Sequence, residues 1–203
     1  LTELENDISL NPELFARVKA VYDQRKKLKL DEQDMQLLED TYKGFARSGA
    51  LLEGRDKELY REYSSELSQL TLKFGQNAQA ATNAFSYNIT DPAKVEELPA
   101  FVKEGLAAEA EARGEKGWTV TLHAPSYSPF MTYSTQRDIK EALYRAYNTR
   151  GIGGETDNVE NIRRIAELRL KIANLLGYKC YADYVLEDRM AESTKTVNGF
   201  LAE

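Results

Sequence analysis

The sequence predicts a mainly α fold: a multi-helix domain of antiparallel helices with two short β-strands, at about 85–90 and 118–123. Three observations predict it. Apolar residues recur at spacings of three and four through most of the chain, the period of a helix face. Capping residues and prolines stand before these stripes, and glycines stand after several of them. The period changes to two in only two short runs, which are the candidate strands.

The elements follow in order. Asn11 and Pro12 make a helix start, and Leu14, Phe15, Val18, Val21 and Tyr22 form its stripe. Lys26, Lys27 and Lys29 sit near its end, where cations suit the helix dipole. Asp31 caps a second helix with Met35, Leu38, Tyr42 and Phe45, ending near Ser48-Gly49, so the two read as an antiparallel pair. A long helix spans about Arg55 to Ala81 on Leu59, Tyr63, Leu67, Leu70 and Phe74. Gly75 within it costs about 1 kcal/mol relative to alanine. Phe85, Tyr87 and Ile89 then alternate with polar residues until Asp91-Pro92. Leu98-Pro99 opens a helix with Phe101, Val102 and Leu106 that ends near Gly114, and Trp118 to His123 alternate again. Pro125 and Pro129 bracket a stretch expected to be irregular, and Ser134 or Thr135 is expected to cap a helix bearing Ile139, Leu143 and Tyr147. A loop through Ile152, Gly153 and Gly154 leads to Asn158 as the next cap.

The clearest periodicity comes next. Ile162, Ile165, Leu168, Ile172, Leu175 and Leu176 lie on one helix face, and Gly177 ends it in a left-handed conformation. A further helix is expected from Tyr181, carrying Tyr184, Val185 and Met190. Ser193 or Thr194 starts a last one with Val197, Phe200 and Leu201, which stops at Glu203 without a stop signal. The expectation is a single helical region over residues 1–203, an N-terminal or middle fragment of a longer protein.

Composition narrows the function classes. A net charge of −6, with 27 basic residues interleaved among 33 acidic ones, argues against nucleic-acid binding, which gathers cations on one face. No apolar run of about 18 residues is present to span a membrane, and the first ten residues do not read as a signal peptide. The one cysteine, Cys180, permits no internal disulfide and reads as a buried thiol.

The one histidine, His123, rules out a His-Glu-x-x-His zinc helix within these residues. Val120 stands three before it, so a Glu-x-x-His di-iron pair is ruled out as well. A Ser-His-Asp arrangement could be built only on His123, which reads as structural at a strand end. Gly151, Gly153 and Gly154 lack the Gly-Lys-Ser/Thr ending of a phosphate loop. Glu96 and Glu97 are in a polar setting that does not suggest acid–base work. Tyr127, Phe130, Tyr133, Tyr144 and Tyr147 cluster in sequence, either as core packing or as a cleft wall.

Several blocks in fixed order carry a resemblance. They are Arg47-Ser48-Gly49-Ala50 with Leu52; Glu66 to Leu70 with Phe74 and Asn77; and Trp118 to Leu122 followed by Pro125 to Tyr127 and Pro129 to Met131. Arg137, Tyr144, Ala146, Tyr147 and Arg150 come next, then Leu168-Arg169, Ala173, Leu175 to Tyr178, Ala182 to Tyr184 and Met190-Ala191. This set resembles the thimet oligopeptidase family of zinc metallopeptidases, within it most closely the bacterial peptidyl-dipeptidase Dcp and oligopeptidase A branch. The resemblance implies a bilobed helical peptidase with a deep channel, zinc as cofactor and short peptides as substrates, the Dcp branch releasing C-terminal dipeptides. The family's zinc ligands and general base lie on a His-Glu-x-x-His helix and a later glutamate, C-terminal to the matched part. No catalytic or metal-binding residue is therefore carried onto this chain, no zinc is expected bound by it, and its substrate contacts are unassigned.

The implied role is scaffold and channel wall, with the remainder of the same polypeptide as partner. The implied compartment is the cytoplasm, or the periplasm if an upstream signal has been removed. Self-association through apolar surface is a further expectation. Two rival readings stand beside this one: a stand-alone helical protein-interaction module without peptidase activity, and a hydrolase built on His123.

Overall fold

The computed structural model describes residues 1–203. In chain order the α-helices are α1 (Thr2–Ser9), α2 (Pro12–Gln24), α3 (Glu32–Arg47), α4 (Gly54–Ala84), α5 (Ala100–Ala112), α6 (Ala124–Tyr133), α7 (Arg137–Asn148), α8 (Val159–Leu175), α9 (Tyr181–Leu186) and α10 (Thr194–Ala202). Strand β1 (Ser86–Ile89) follows α4, and β2 (Trp118–Thr121) follows α5. The chain divides into two compact units, one of Leu1–Thr71 with Arg163–Glu203 and one of Leu72–Ile162.

The first unit is all helix. The Asn11 side chain accepts from the backbone N–H groups of Glu13 and Leu14, both at 3.0 Å, and Asp31 accepts from Asp34 N–H at 2.8 Å. Both helices of the α2–α3 pair therefore start where the sequence puts them. The two pack antiparallel through aromatic rings, with Tyr22 stacked on Tyr42 at 3.8 Å and Phe15 within 6.0 Å of Phe45. Helix α1 is an element that the sequence reading leaves unassigned. It is held to α4 by Asn6 Nδ2 donating to Ser64 Oγ at 2.9 Å and by a Thr2–Ser68 hydroxyl pair at 2.7 Å. These contacts are long-range, so no local period announces them.

Helix α8 buries Leu168 and Ile172, the middle of the predicted face, and Ala173, which lies outside that prediction. Ile162 departs from that expectation and is 54% exposed. Gly177, with φ of +87°, ends α8 as expected. Its N–H donates to Asn174 O at 3.0 Å and Tyr178 N–H donates to Ala173 O at 2.9 Å, the double hydrogen bond of a Schellman stop. Helix α9 stops at Leu186, so the expected continuation to Met190 does not form, and Met190 is fully exposed. Ser193 caps α10 by accepting from Thr196 N–H at 3.1 Å.

The second unit holds the sheet. The two strands, whose partners the sequence left open, pair with each other antiparallel, Ser86 opposite Thr121 and Ile89 opposite Trp118. Helices α5, α6 and α7 close a core of Ile89, Leu106, Val120, Phe130, Ile139 and Leu143. Gly117 makes the entry to β2 possible. A Cβ there would lie 2.2 Å from Ile89 O, and its φ is +89°.

The stretch around Pro125 and Pro129 is a correction: it is helix α6, not irregular. Pro125 sits in the first turn, where its missing N–H costs nothing. Pro129 lies inside the helix, where a proline costs about 3 kcal/mol. Phe130 beside it is wholly buried, and burial of such a side chain contributes about 1.5–3 kcal/mol. Packing of Tyr127 and Met131 against the same core adds to that term. The cap of α7 is a second correction. Gln136 is the capping position and makes no side-chain cap, while Ser134 and Thr135 turn to Glu97 instead.

Candidate functional site

The predicted aromatic cluster separates into three environments within the second unit. Phe130 belongs to the core. Tyr127 and Tyr147 stack at 4.3 Å beside it, and Arg150 lies over the Tyr147 ring at 3.7 Å while donating to Thr82 Oγ1 at 3.0 Å. Burial, with Tyr147 and Tyr144 nearby, pushes the Tyr127 hydroxyl above its ordinary range. Tyr133 and Tyr144 are the exposed members, at 47% and 58%. The cluster thus divides into rings packed at the core and rings exposed to solvent.

Tyr144 lines a surface groove of about 480 Å³, together with Met131, Thr135, Arg137, Lys140 and Glu141. Residues 137, 140, 141 and 144 share one α7 face, which explains their convergence. Lys140 donates to Ser134 O at 3.2 Å, and Glu141 is held by Arg145 at 2.8 Å. A second carboxylate, Glu97, is tied to this corner. It accepts from Thr135 N–H at 2.9 Å, from Thr135 Oγ1 at 3.1 Å and from Ser134 Oγ at 3.3 Å. The Thr135 backbone N–H, foremost among these donors, holds the Glu97 carboxyl below the usual range. A carboxylate so stabilised is a poor base, so the Ser134–Glu97 contact is a structural tie rather than an activated nucleophile.

His123 lies two residues after β2 and occupies the cap position of α6, exposed, with its backbone carbonyl accepting from Ser126 and Tyr127 N–H groups. It borders a second groove of about 280 Å³ between α5 and α6, with Phe101, Gly105, Pro125 and Pro129. Its imidazole makes no hydrogen bond with a serine or carboxylate, so the triad geometry is not present. The glycines at 151, 153 and 154 form a turn closed by Asn158 N–H on Gly151 O at 2.8 Å. Asn158, expected as the α8 cap, directs its side chain to α4 as well. Its Nδ2 donates to Phe74 O at 3.1 Å, and its Oδ1 accepts from Asn77 at 3.1 Å and from Asn161 at 2.8 Å.

In the first unit the structure brings together two blocks far apart in sequence. The Arg47 guanidinium donates to Tyr184 O at 2.7 Å, reaches Tyr178 Oη at 3.4 Å and pairs with Glu187. It lies 4.5 Å from the Tyr184 ring centre. Tyr178 also donates to Glu187, and that hydrogen bond, first among the causes, lowers the Glu187 carboxyl. Periodicity could not find this cluster. Arg47 and Tyr178 each stand in a block of the family resemblance, but nothing in the sequence pairs them. Cys180 beside it is half-buried rather than buried.

No group of three or more His, Cys, Asp or Glu side chains converges, and the single histidine stands alone at the α6 cap. The donor set does not fit a catalytic zinc, which needs three protein ligands and an open position.

Residues 130–203, from the buried ring of α6 to the end of α10, match the profile of peptidase family M3. The chain is a relative of the M3 peptidases. It is 33% identical to the dipeptidyl carboxypeptidase of Escherichia coli (strain K12) over 208 residues, covering all of this chain and 30% of that protein. It is 36% identical to the probable cytosolic oligopeptidase A of Arabidopsis thaliana, over 82% of this chain and 25% of that one. With the oligopeptidase A of Haemophilus influenzae (strain ATCC 51907 / DSM 11121 / KW20 / Rd) the identity is 34%, over 81% and 25% of the two lengths. The chain thus spans a quarter to a third of the length of the curated relatives it matches. Arg47, Tyr178 and Tyr184 meet in the first unit, while residues from Trp118 to Met131 and from Arg137 to Arg150 build the core and groove of the second.

Proposed function

We propose that this chain is a non-catalytic helical portion of a zinc-dependent M3-type peptidase that hydrolyses short peptides, forming scaffold and channel wall. The observation that carries the reading is the match along the full chain to a dipeptidyl carboxypeptidase of which it covers 30%, in a sequence with a single histidine. Support for the wall role comes from the exposed rings Tyr133 and Tyr144, which offer apolar area with a polar tip. In this reading zinc, the general base and the reacting groups belong to the remainder of the polypeptide, which is the partner of this portion. The parent acts as a peptidyl-dipeptidase in the cytoplasm. No helix here is long and apolar enough to cross a membrane.

The test is a zinc determination on the purified 203-residue chain together with dipeptide release from an unblocked oligopeptide. Less than a tenth of an equivalent of zinc and no release are the expected results. Stoichiometric zinc with dipeptide release would overturn the reading. If the gene ends at residue 203, the stand-alone interaction module replaces it.

A further inference from the structure

The groove along α7 holds more positive charge than its own carboxylates answer. Arg137 stands exposed on its wall, and the guanidinium makes no hydrogen bond and no ion pair. Lys140, one turn on and half-buried, donates only to the Ser134 carbonyl. The carboxylates nearby are already engaged. Glu141 accepts twice from Arg145, at 2.9 and 2.8 Å, and Asp138 pairs with Lys94 at 3.2 Å. Glu97 takes the donors of Ser134 and Thr135. Arg137 and Lys140 therefore face the groove without a counter-ion, in a chain of net charge −6.

The same groove has an apolar flank. Tyr144, one turn beyond Lys140 on the same α7 face, leaves its ring exposed, and Met131 of α6 lines the groove with it. A guanidinium fork matches the two oxygens of a carboxylate. A cation pair beside an aromatic ring and a thioether is complementary to a carboxylate with an apolar side chain next to it, and a short acidic peptide offers both. Closing an unpaired guanidinium under a packed interface would strip its hydration without return. On a wall that faces water it keeps that hydration until an anion arrives.

We propose that the α7 groove is a subsite for a peptide carboxylate, with Arg137 as the pairing cation, Lys140 as the second charge and Tyr144 as the seat of the neighbouring apolar side chain. The inference rests on the reading of this chain as part of the wall of a peptidase channel. An aspartate or glutamate side chain and the C-terminus of the peptide present the same chemistry, and the test separates the two.

The test is a proton–nitrogen chemical-shift titration of the 203-residue chain with short N-acetylated alanine peptides that carry a central leucine. One has glutamate beside the leucine and an amidated C-terminus, another has glutamine and a free C-terminus, and the last has glutamine and an amidated C-terminus. A carboxylate peptide should shift the α7 amides from 137 to 144 and bind roughly tenfold or more tightly than the uncharged one. Whichever carboxylate binds identifies its source. Arg137→Gln should abolish most of the preference, and Arg137→Lys should keep part of it, with unchanged circular dichroism. In the product of the complete gene, Arg137→Gln should raise KM for the preferred peptide while sparing kcat and the uncharged peptide, a split that a packing contact would not give. The titration needs neither zinc nor turnover, so it can fail while the zinc and dipeptide-release results stand, and the reverse. No preference for a carboxylate, shifts centred away from α7, or a loss in Arg137→Gln that falls equally on all the peptides would each overturn the proposal.

Discussion

Two single residues set terms that their neighbours cannot relax. Gly117 is one, because its backbone approaches the Ile89 carbonyl more closely than any side chain allows. Gly117→Ala should destabilise the second unit by about 1–3 kcal/mol, read as a shift of the urea midpoint. Arg47 is the other. Its guanidinium is 15% exposed and serves a carbonyl, a phenol and a carboxylate at once. Arg47→Ala should cost about 2 kcal/mol, and Arg47→Lys should recover only part of it, since an ammonium lacks the planar fork. Faster amide exchange confined to α9 is the readout that separates loss of this tie from general destabilisation. His123 is the contrast. Exposed and without a catalytic partner, it should tolerate replacement by alanine with no measurable change in the thermal midpoint.

At the scale of the element, local rules predict ends better than interiors. Asn11, Asp31, Ser193 and Gly177 each do what their chemistry suggests, since a cap depends on atoms within a few residues. Interiors answer to packing. Helix α6 forms despite Pro129 because Phe130 is worth burying, and α9 stops short of Met190 because nothing covers that side chain. Helix α4 shows the same dependence in reverse: it runs from Gly54 to Ala84 with no fully buried residue. Gly75 within it faces open space, where a Cβ would meet no other atom. Gly75→Ala should therefore stabilise the chain by about 0.5–1 kcal/mol in thermal or urea unfolding.

Across the whole molecule the charge balance predicts opposite limits in acid and alkali. Lysine, arginine, hydroxyl and backbone donors hold the Glu66, Glu97, Asp138, Glu167, Glu187 and Asp188 carboxyls below their ordinary values. A depressed carboxyl favours the folded state above its unfolded pKa, near 4. That contribution is lost as pH falls through the lower folded value. Unfolding free energy should thus be level near neutrality and decline below about pH 4. Most of these groups are exposed, so the decline should be gradual and blunted by salt.

Tyr60 acts at the other end. Burial pushes its hydroxyl up to about 12, so the unfolded state loses the proton first and stability falls as pH rises from about 10 towards that value. Tyr60→Phe should remove part of the alkaline loss, and comparison of urea midpoints at neutral and alkaline pH checks it. Had Tyr60 been exposed, the substitution would leave the slope unchanged.

The sequence by itself determined the helical character, most helix ends and the two strands, because stripes and caps are read within one or two turns of chain. It also determined the M3 kinship, carried by blocks whose order survives at about a third identity. Only the tertiary structure decided that β1 pairs with β2, that Pro129 lies within a helix, and that Tyr127 and Tyr147 pack inward while Tyr144 faces a groove. It alone placed Arg47 against Tyr184, 137 residues away. The physical reason is one of range. Propensity and capping act between neighbours along the chain, whereas burial is decided by residues that meet only after the chain has folded back on itself.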